Sequence, residues 1–252
     1  SFHEISPTLL MKPASPTDLD GRRILYDLAH GEPWTYDYST LIGDLIAAGA
    51  VITENYTYPV TPAVLEGYDV LWANCCGYTN WTFAELNAVL DWMNAGGAVF
   101  VQGENSPATS GLAGIFNILY LSGNYTSGVT TSIFPHPISA GVDEVYINGS
   151  YSYLGAAPGS DTVVLDNWDQ VHVVAHEQDG GKMVIVADDD FIDWTIANAD
   201  NRLFANNILS WLAAPAYSAV PWLSEIPITA TLPGHSSLEV VVNFDASNLA
   251  AG

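Results

Sequence analysis

Short apolar runs alternate with amphipathic segments in the first half of the chain. Apolar runs typical of buried strands occupy residues 23–29, 51–54, 68–73 and 98–102. Apolar residues spaced three and four positions apart predict helices at residues 38–48 and 83–94. Gly49 follows the first helix, and Thr82 can cap the second. Strands separated by helices of this length require crossover connections, so the pattern predicts a mostly parallel sheet with helices on both faces.

The pattern loosens after Gly103 and then becomes regular again. We predict a glycine-rich helix at residues 111–121 and short strands at 129–133 and 145–147. The regular part predicts three strands and a closing amphipathic helix, at residues 161–165, 171–175, 182–187 and 201–212. This domain is predicted to span residues 22–213.

Both ends of the chain differ from this α/β pattern. Residues 1–21 contain three prolines and end in a turn sequence, which predicts an extended N-terminal arm. Residues 214–252 show no helical period, and their β-like runs at 221–223, 226–232 and 238–244 predict a small all-β segment.

Composition and charge narrow the classes of partner. The 252 residues contain 5 Lys and Arg against 28 Asp and Glu, for a formal net charge of −23, and 49% of them are hydrophobic. The hydrophobic content is enough for a folded core, whereas the charge repels nucleic acids and anionic lipids. No apolar run approaches the ~20 residues needed to span a bilayer. We therefore expect neither nucleic-acid binding nor direct membrane insertion.

The sequence favours an exported protein. Its two cysteines, Cys75 and Cys76, are adjacent; they fit a pair of buried small side chains, a strained vicinal disulfide, or a metal or nucleophile role. Four Asn-X-Ser/Thr sequences are candidate glycan acceptors if the chain is exported: Asn55, Asn80, Asn124 and Asn148. Together with the scarcity of lysine, they predict an extracellular or cell-surface location.

Three sequence blocks resemble the class I glutamine amidotransferase-like superfamily, in its non-amidotransferase branches. They are residues 67–100 with the Gly96-Gly97 pair, residues 136–142 (HPISAGV), and residues 186–212 with the DNRLFANN motif. The resemblance covers about residues 22–213 and implies a flavodoxin-like fold. In catalytic relatives a cysteine nucleophile lies on the turn after the strand that follows the glycine pair. Here that turn reads Gln-Gly-Glu-Asn with Glu104 at the elbow, and the cysteines end the preceding strand.

The C-terminal segment resembles a different kind of module. Residues 217–252, with the motifs VPWLS, LPG and VVVNFD, resemble the opening of an immunoglobulin-like or BACON-like repeat common in bacterial exported proteins. The resemblance implies a partial β-sandwich over residues 214–252.

Clustered carboxylates suggest a cation site. The aspartates at 188, 189, 190 and 193 follow a predicted strand, at the sheet edge where open α/β sheets bind their ligands. Carboxylate oxygens are what Ca²⁺ requires, so Asp188, Asp189, Asp190 and Asp193 are candidate calcium ligands. In the competing interpretation Asp188 caps the next segment and the other carboxylates are solvated. No other cofactor is indicated.

For the remaining histidines and for the aromatic residues in loops, a structural role is the first expectation. His172 and His176 lie on one face of a predicted strand and are expected to be ordinary polar positions. Aromatic residues in predicted loops can stack on sugars or contact a neighbouring copy, although packing is the default: Trp34, Tyr36, Tyr38, Tyr56 and Tyr58.

Two functions compete. The first is a non-catalytic structural or adhesive module, a building block of an extracellular filament joined by strand complementation, whose partners are copies of itself, other surface proteins or glycans. The second is a secreted hydrolase of glycan or peptide bonds, or an accessory domain of one, that uses Glu104, His136 and Asp188 at the sheet edge. The missing elbow cysteine favours the first function.

Overall fold

The computed structural model describes residues 19–30, 38–73, 80–103, 107–178, 180–188, 191–214, 223–226 and 241–244. The chain divides into two compact units. The larger comprises Lys12–Ala216, and the smaller comprises Ser1–Met11 and Tyr217–Gly252, which includes the two C-terminal strands.

The described part of the larger unit contains nine strands and five α-helices. The strands are β1 Arg23–Asp27, β2 Val51–Asn55, β3 Val70–Ala73, β4 Ala98–Gln102, β5 Leu119–Thr130, β6 Val145–Gly155, β7 Ser160–Leu165, β8 Val171–Gln178 and β9 Gly181–Val186. The helices are α1 Ser39–Ala47, α2 Pro62–Leu65, α3 Phe83–Asn94, α4 Pro107–Gly114 and α5 Asn201–Ala213, with a short 3-10 helix at Pro137–Ser139.

Seven of the strands form one sheet in the order β2-β1-β3-β4-β9-β8-β7. The first five are mutually parallel, whereas β8 runs antiparallel to both β9 and β7. The sequence prediction of a mostly parallel α/β sheet is therefore confirmed. Strands β5 and β6 pair with each other as a separate antiparallel ribbon.

The helix predicted at residues 111–121 is wrong in its second half. Helix α4 ends at Gly114, Asn117 adopts a left-handed conformation with a φ of 57°, and β5 begins at Leu119. The start of β5 pairs with the distant end of β6, with Leu119 opposite Gly155. Long-range pairing therefore overrides the local helical period at this point.

Two apolar cores cover the two faces of the seven-stranded sheet. In β9, Val184 and Val186 belong to one core, and Met183 and Ile185 belong to the other. This alternation follows from the two-residue period of a strand, and burial on both faces explains why the central strands read as continuous apolar runs. Helix α5 packs in the first core and α3 in the second.

Helix α3 begins as the sequence predicts. The Thr82 hydroxyl accepts a hydrogen bond from the backbone N–H of Glu85, and the Glu85 carboxylate accepts one from the backbone N–H of Thr82. This reciprocal capping box satisfies two backbone donors that a helix start leaves free. It also fixes the position of the Glu85 carboxylate.

The smaller unit contains β10 Leu223–Ile226 and β11 Val241–Phe244, which pair antiparallel with Leu223 opposite Phe244. This one pair is all that the described residues of the unit show. It does not support an immunoglobulin-like repeat, and the segment boundary at residue 214 stays a prediction.

In the described residues, no helix has both the length and the apolar character needed to cross a membrane.

Candidate functional site

The strand order places the candidate site at the carboxyl edge of the parallel strands. The order reverses between β1 and β3, and open α/β sheets bind ligands in the crevice at such a reversal. Asp27 ends β1, Gln102 ends β4 and Asp188 follows β9, so three polar side chains meet this edge.

A buried histidine and aspartate form the first part of the site. Nδ1 of His30 donates to Oδ2 of Asp27 over 2.8 Å, and both side chains are 1% exposed. The other Asp27 oxygen accepts from Nδ2 of Asn55 at 2.8 Å and from the backbone N–H of Ala29 at 3.2 Å. Asn55 ends β2 directly opposite Asp27, so the carboxylate joins two strand ends.

Glu85 contacts the other side of the same imidazole. Its Oε1 lies 3.2 Å from Nε2 of His30 and accepts from the backbone N–H of Val60 at 2.7 Å. This approach of Nε2 to the carboxylate does not have hydrogen-bond geometry. Burial raises the pKa of the Glu85 carboxyl, but its hydrogen bonds from Thr82 and Val60 and the His30 charge outweigh burial and lower it.

Aromatic rings enclose the imidazole. The Trp81 ring stacks on His30 with centroids 4.0 Å apart, and Tyr58 contacts its edge at 5.2 Å. The His30 side chain is therefore enclosed and only 1% exposed. The Asp27–His30–Glu85 network ties the ends of β1 and β2 to the start of α3.

This network was not predicted from the sequence, although signals for it exist. The capping sequence from Thr82 to Glu85 predicts where the Glu85 carboxylate starts a helix. Asp27 and His30 follow a buried apolar run three residues apart. Nothing in the sequence shows that a glutamate 55 positions later meets His30.

Gly103 opens the turn after β4 on which catalytic relatives carry their nucleophile, and it packs against Tyr120. The backbone N–H of Gly103 donates to the Val186 carbonyl, and the Tyr120 hydroxyl donates to the same carbonyl at 3.5 Å. A β-carbon placed on Gly103 would overlap the hydroxyl and ring of Tyr120. Tyr120 therefore occupies the space beside the elbow. Glu104 itself lies outside the described residues.

Gly103→Ala is expected to destabilise the chain by about 2 kcal/mol, because the new methyl group overlaps the Tyr120 ring. Urea unfolding of Gly103→Ala in the natural and Tyr120→Ala backgrounds measures this. The substitution should cost less in the second background, where the ring is absent. Equal costs in the two backgrounds would show that Tyr120 does not cover the elbow.

The structure does not bring His136 to this edge. The His136 ring lies 5.0 Å from that of Trp211, whose carbonyl accepts from Nζ of Lys182 at the start of β9. Asp188 follows the other end of β9, and at the usual rise of a strand its Cα lies about 20 Å from that of Lys182. Burial lowers the pKa of His136 to about 4, against the raising effect of the Asp161 charge. The described residues therefore place His136 towards the start of β9 and Asp188 after its end, and the grouping with Glu104, which lies outside the described residues, stays a prediction.

The candidate calcium ligands are described in part. Asp188 and Asp193 are buried side chains at the carboxyl edge, while Asp189 and Asp190 lie outside the described residues. Over the parts of the chain that the structure describes, no three His, Cys, Asp or Glu side chains are grouped to hold a metal ion. Calcium binding stays a prediction.

The two histidines of β8 are buried and not ordinary polar positions. Nδ1 of His176 lies 3.0 Å from the Ser160 hydroxyl, and its ring packs against Phe116. His172 is fully buried, and neither of its ring nitrogens has a hydrogen-bond partner. Burial lowers the pKa of His172 to about 4, because a charge without a partner is costly in the core.

This depressed pKa predicts acid sensitivity. An unfolded histidine has a pKa of 6.5, so between pH 6.5 and about 4 the unfolded state binds the proton and the folded state does not. His172 should therefore stabilise the fold fully above pH 6.5 and lose about 3 kcal/mol of that contribution as the pH falls to 4. Urea unfolding of the natural chain and His172→Phe across this range measures the loss. An unchanged pH slope in His172→Phe would contradict the prediction.

The other sequence candidates divide between described and undescribed parts of the chain. Asn80 and Asn124 are exposed and Asn148 is partly exposed. Asn55 differs, because it is buried and its Nδ2 donates to Asp27 and to the Thr57 carbonyl, so a glycan there would have to break both bonds.

Of the loop aromatics, Tyr38 is buried in the core and Tyr56 and Tyr58 are exposed. Four more candidate residues lie outside the described residues, besides Glu104, Asp189 and Asp190: Cys75, Cys76, Trp34 and Tyr36.

Several solved structures are similar to this chain. An IFT52 N-terminal domain superposes with a TM-score of 0.64 at 13% identity, over 77% of this chain and 99% of that one. A cytoplasmic protein from Salmonella typhimurium, STM1381, gives 0.57 at 15% identity over 75% and 99%. A putative GMP synthase protein from Thermoplasma acidophilum gives 0.51 at 12% identity over 76% and 92%.

The fold is an α/β fold of the flavodoxin-like kind, with the parallel strands in the order β2-β1-β3-β4-β9. At these identities the similarity concerns the fold alone. No protein-family model matches the sequence, and a search of curated proteins finds no significant match.

Proposed function

We propose that this flavodoxin-like chain is a non-catalytic structural or adhesive module of an exported protein. The observation that carries the proposal is the elbow, where Tyr120 packs over Gly103 and no thiol is present. Two further observations support it. The side chains of the Asp27–His30–Glu85 network are each 1% exposed, and His136 lies beside Trp211 towards the start of β9, whereas Asp188 follows the end of that strand.

Assembly by strand exchange is the finer part of the proposal. Strands β10 and β11 form an antiparallel pair, and an isolated pair of strands is at best marginally stable. The sequence of residues 2–10 is partly apolar and is predicted to be extended, so it suits an added strand. Donated to the β10–β11 pair of a neighbouring copy, it would join copies head to tail, and such contacts build filaments when they do not close into a ring.

Extracellular location, glycosylation and calcium binding belong to the same proposal. The net charge of −23 and the exposed acceptors Asn80 and Asn124 support it. Self-association, other surface proteins and glycans are the partners it implies.

An assay for hydrolytic activity tests the proposal directly. The purified chain is expected to release no product from chromogenic glycosides, esters or peptides above the rate of a Glu104→Gln variant. Hydrolysis that Glu104→Gln abolishes would overturn the proposal and restore the hydrolase alternative.

Calcium should raise the melting temperature by several degrees if Asp188–Asp193 bind it, because a ligand at 100 times its Kd stabilises the folded state by about 2.7 kcal/mol. Thermal unfolding in millimolar Ca²⁺ and in chelator measures the shift, with Asp188→Asn as the matched variant. Identical melting curves in the two solutions would show that these aspartates do not bind calcium.

A further inference from the structure

Three exposed aromatic residues are linked where the turn between β7 and β8 meets the β5–β6 ribbon. The Tyr125 and Tyr151 rings have centroids 5.0 Å apart, and Nε1 of Trp168 donates to the Tyr125 carbonyl at 2.9 Å. Each of the three residues is more than half exposed. We call Tyr125, Tyr151 and Trp168 the aromatic platform. Its tryptophan N–H is already bonded, so what it offers a ligand is ring surface.

The turn that carries Trp168 is held rigidly. Oδ1 of Asp166 accepts from the backbone N–H groups of Trp168 at 2.8 Å and Gln170 at 2.9 Å. The Asp166 N–H donates to the Gln170 carbonyl, and Oε1 of Gln170 accepts from the backbone N–H of Asn124 on β5. These bonds fix the turn to the ribbon before any ligand arrives, which lowers the entropy that binding would cost.

The size of the platform fits a small ligand. Three aromatic side chains of about 200 Å² each, a little over half exposed, offer about 300 Å². A stable protein partner needs about 800 Å² on each side, so the platform alone is too small for one. A ring-shaped molecule that stacks on a few side chains needs no more.

The charges exclude an anionic ligand. All four basic residues that the structure describes are engaged elsewhere: Arg22 pairs with Asp69, Arg23 stacks on Tyr68, Lys182 donates to α5 carbonyls and Arg202 pairs with Asp44. The net charge of −23 repels phosphate, sulfate and uronate groups.

The neighbours of the platform are neutral or acidic polar groups suited to hydroxyls. Four exposed polar residues lie within two positions of Tyr125 or Trp168 along the chain: Asn124, Ser127, Asn167 and Asp169. Amide, hydroxyl and carboxylate groups can donate to or accept from sugar hydroxyls, while the ring faces pack on the apolar C–H face of a pyranose.

We propose that the aromatic platform binds a neutral polysaccharide through stacking of its sugar rings on Trp168, Tyr125 and Tyr151. The proposal goes beyond the structural role of the chain, and it gives an adhesive module a chemical target. It requires no catalysis and no assembly.

The test uses the full 252-residue chain, produced without glycosylation so that Asn124 and Asn148 are bare. Neutral hexasaccharides of β-1,4-linked glucose, β-1,4-linked N-acetylglucosamine and α-linked mannose are titrated by calorimetry and ligand-observed NMR. We expect binding of at least one hexasaccharide, unchanged between about 50 and 500 mM salt, and weakened about tenfold by Trp168→Ala.

Tyr151→Ala provides a second variant in case Trp168→Ala disturbs its turn, and it should weaken the same interaction. Trp194→Ala is the matched control, since Trp194 is also highly exposed and is not part of the platform; it should bind like the natural chain. Three results would each overturn the proposal: no binding of any hexasaccharide, binding that survives both platform variants, or salt-sensitive binding of an arginine decapeptide in place of the sugars.

Discussion

Replacing His30 with alanine is expected to lower the free energy of unfolding by about 3–5 kcal/mol, one of the two largest effects in the chain. The substitution leaves Asp27 and Glu85 buried without the imidazole between them and removes the ring that stacks on Trp81. For a domain of this size the loss corresponds to a fall of about 10 °C in the melting temperature. Urea and thermal unfolding measure it.

A double variant supplies the control for His30. Asp27→Asn together with His30→Ala removes one of the two carboxylates that the single variant leaves buried without the imidazole. The free energy of unfolding of the double variant should therefore fall by less than the sum of the falls in the two single variants. A His30→Ala chain as stable as the natural one would show that the network does not hold the edge together.

The Glu85 carboxyl adds a pH dependence. Because its pKa is lowered in the folded chain, its contribution to stability is present above the unfolded pKa and is lost as the pH falls through the folded pKa.

Gly49→Ala is expected to cost at least about 3 kcal/mol. Gly49 has a φ of +97°, which a residue with a β-carbon rarely adopts. The added β-carbon would also lie 2.8 Å from Cα of Asp20, and backbone cannot move aside as a side chain can. Equilibrium unfolding in urea measures the change.

Gly43→Ala is the matched control for Gly49. Gly43 lies on the exposed side of α1 with nothing within 4 Å of an added β-carbon, so alanine there should stabilise the chain by about 0.5–1 kcal/mol. Opposite signs for the two glycines are the expected result. If Gly49→Ala had the same free energy of unfolding as the natural chain, the Asp20 backbone would not lie as close to residue 49 as the structure has it.

Local signals in the sequence predict the parallel half of the fold well. Helix α3 has the predicted bounds because Thr82, Glu85 and the glycine pair define its ends within a few residues. Strands β1, β3 and β4 are predicted correctly because each reads as an apolar run and is buried along nearly all of its length, whereas β2 is less apolar and less buried.

Long-range pairing explains what the sequence did not predict. Strand β5 is rich in Gly, Ser and Thr and is held by β6 rather than by an apolar period of its own. The candidate site depends on distance in the same way. His30 and Glu85 are 55 positions apart in the sequence and yet lie in contact. His136 and Asp188 could also serve as an acid and a base, but the structure places them towards opposite ends of β9.

The central claim is that the chain is a module that assembles and not an enzyme. It is tested most directly by sedimentation velocity of the intact chain and of a chain that lacks residues 1–12. The account predicts species larger than 27.0 kDa that grow with concentration for the intact chain, and monomers for the truncated one. An intact chain that sediments as a monomer at every concentration, or a truncated chain that assembles as the intact one does, would contradict it.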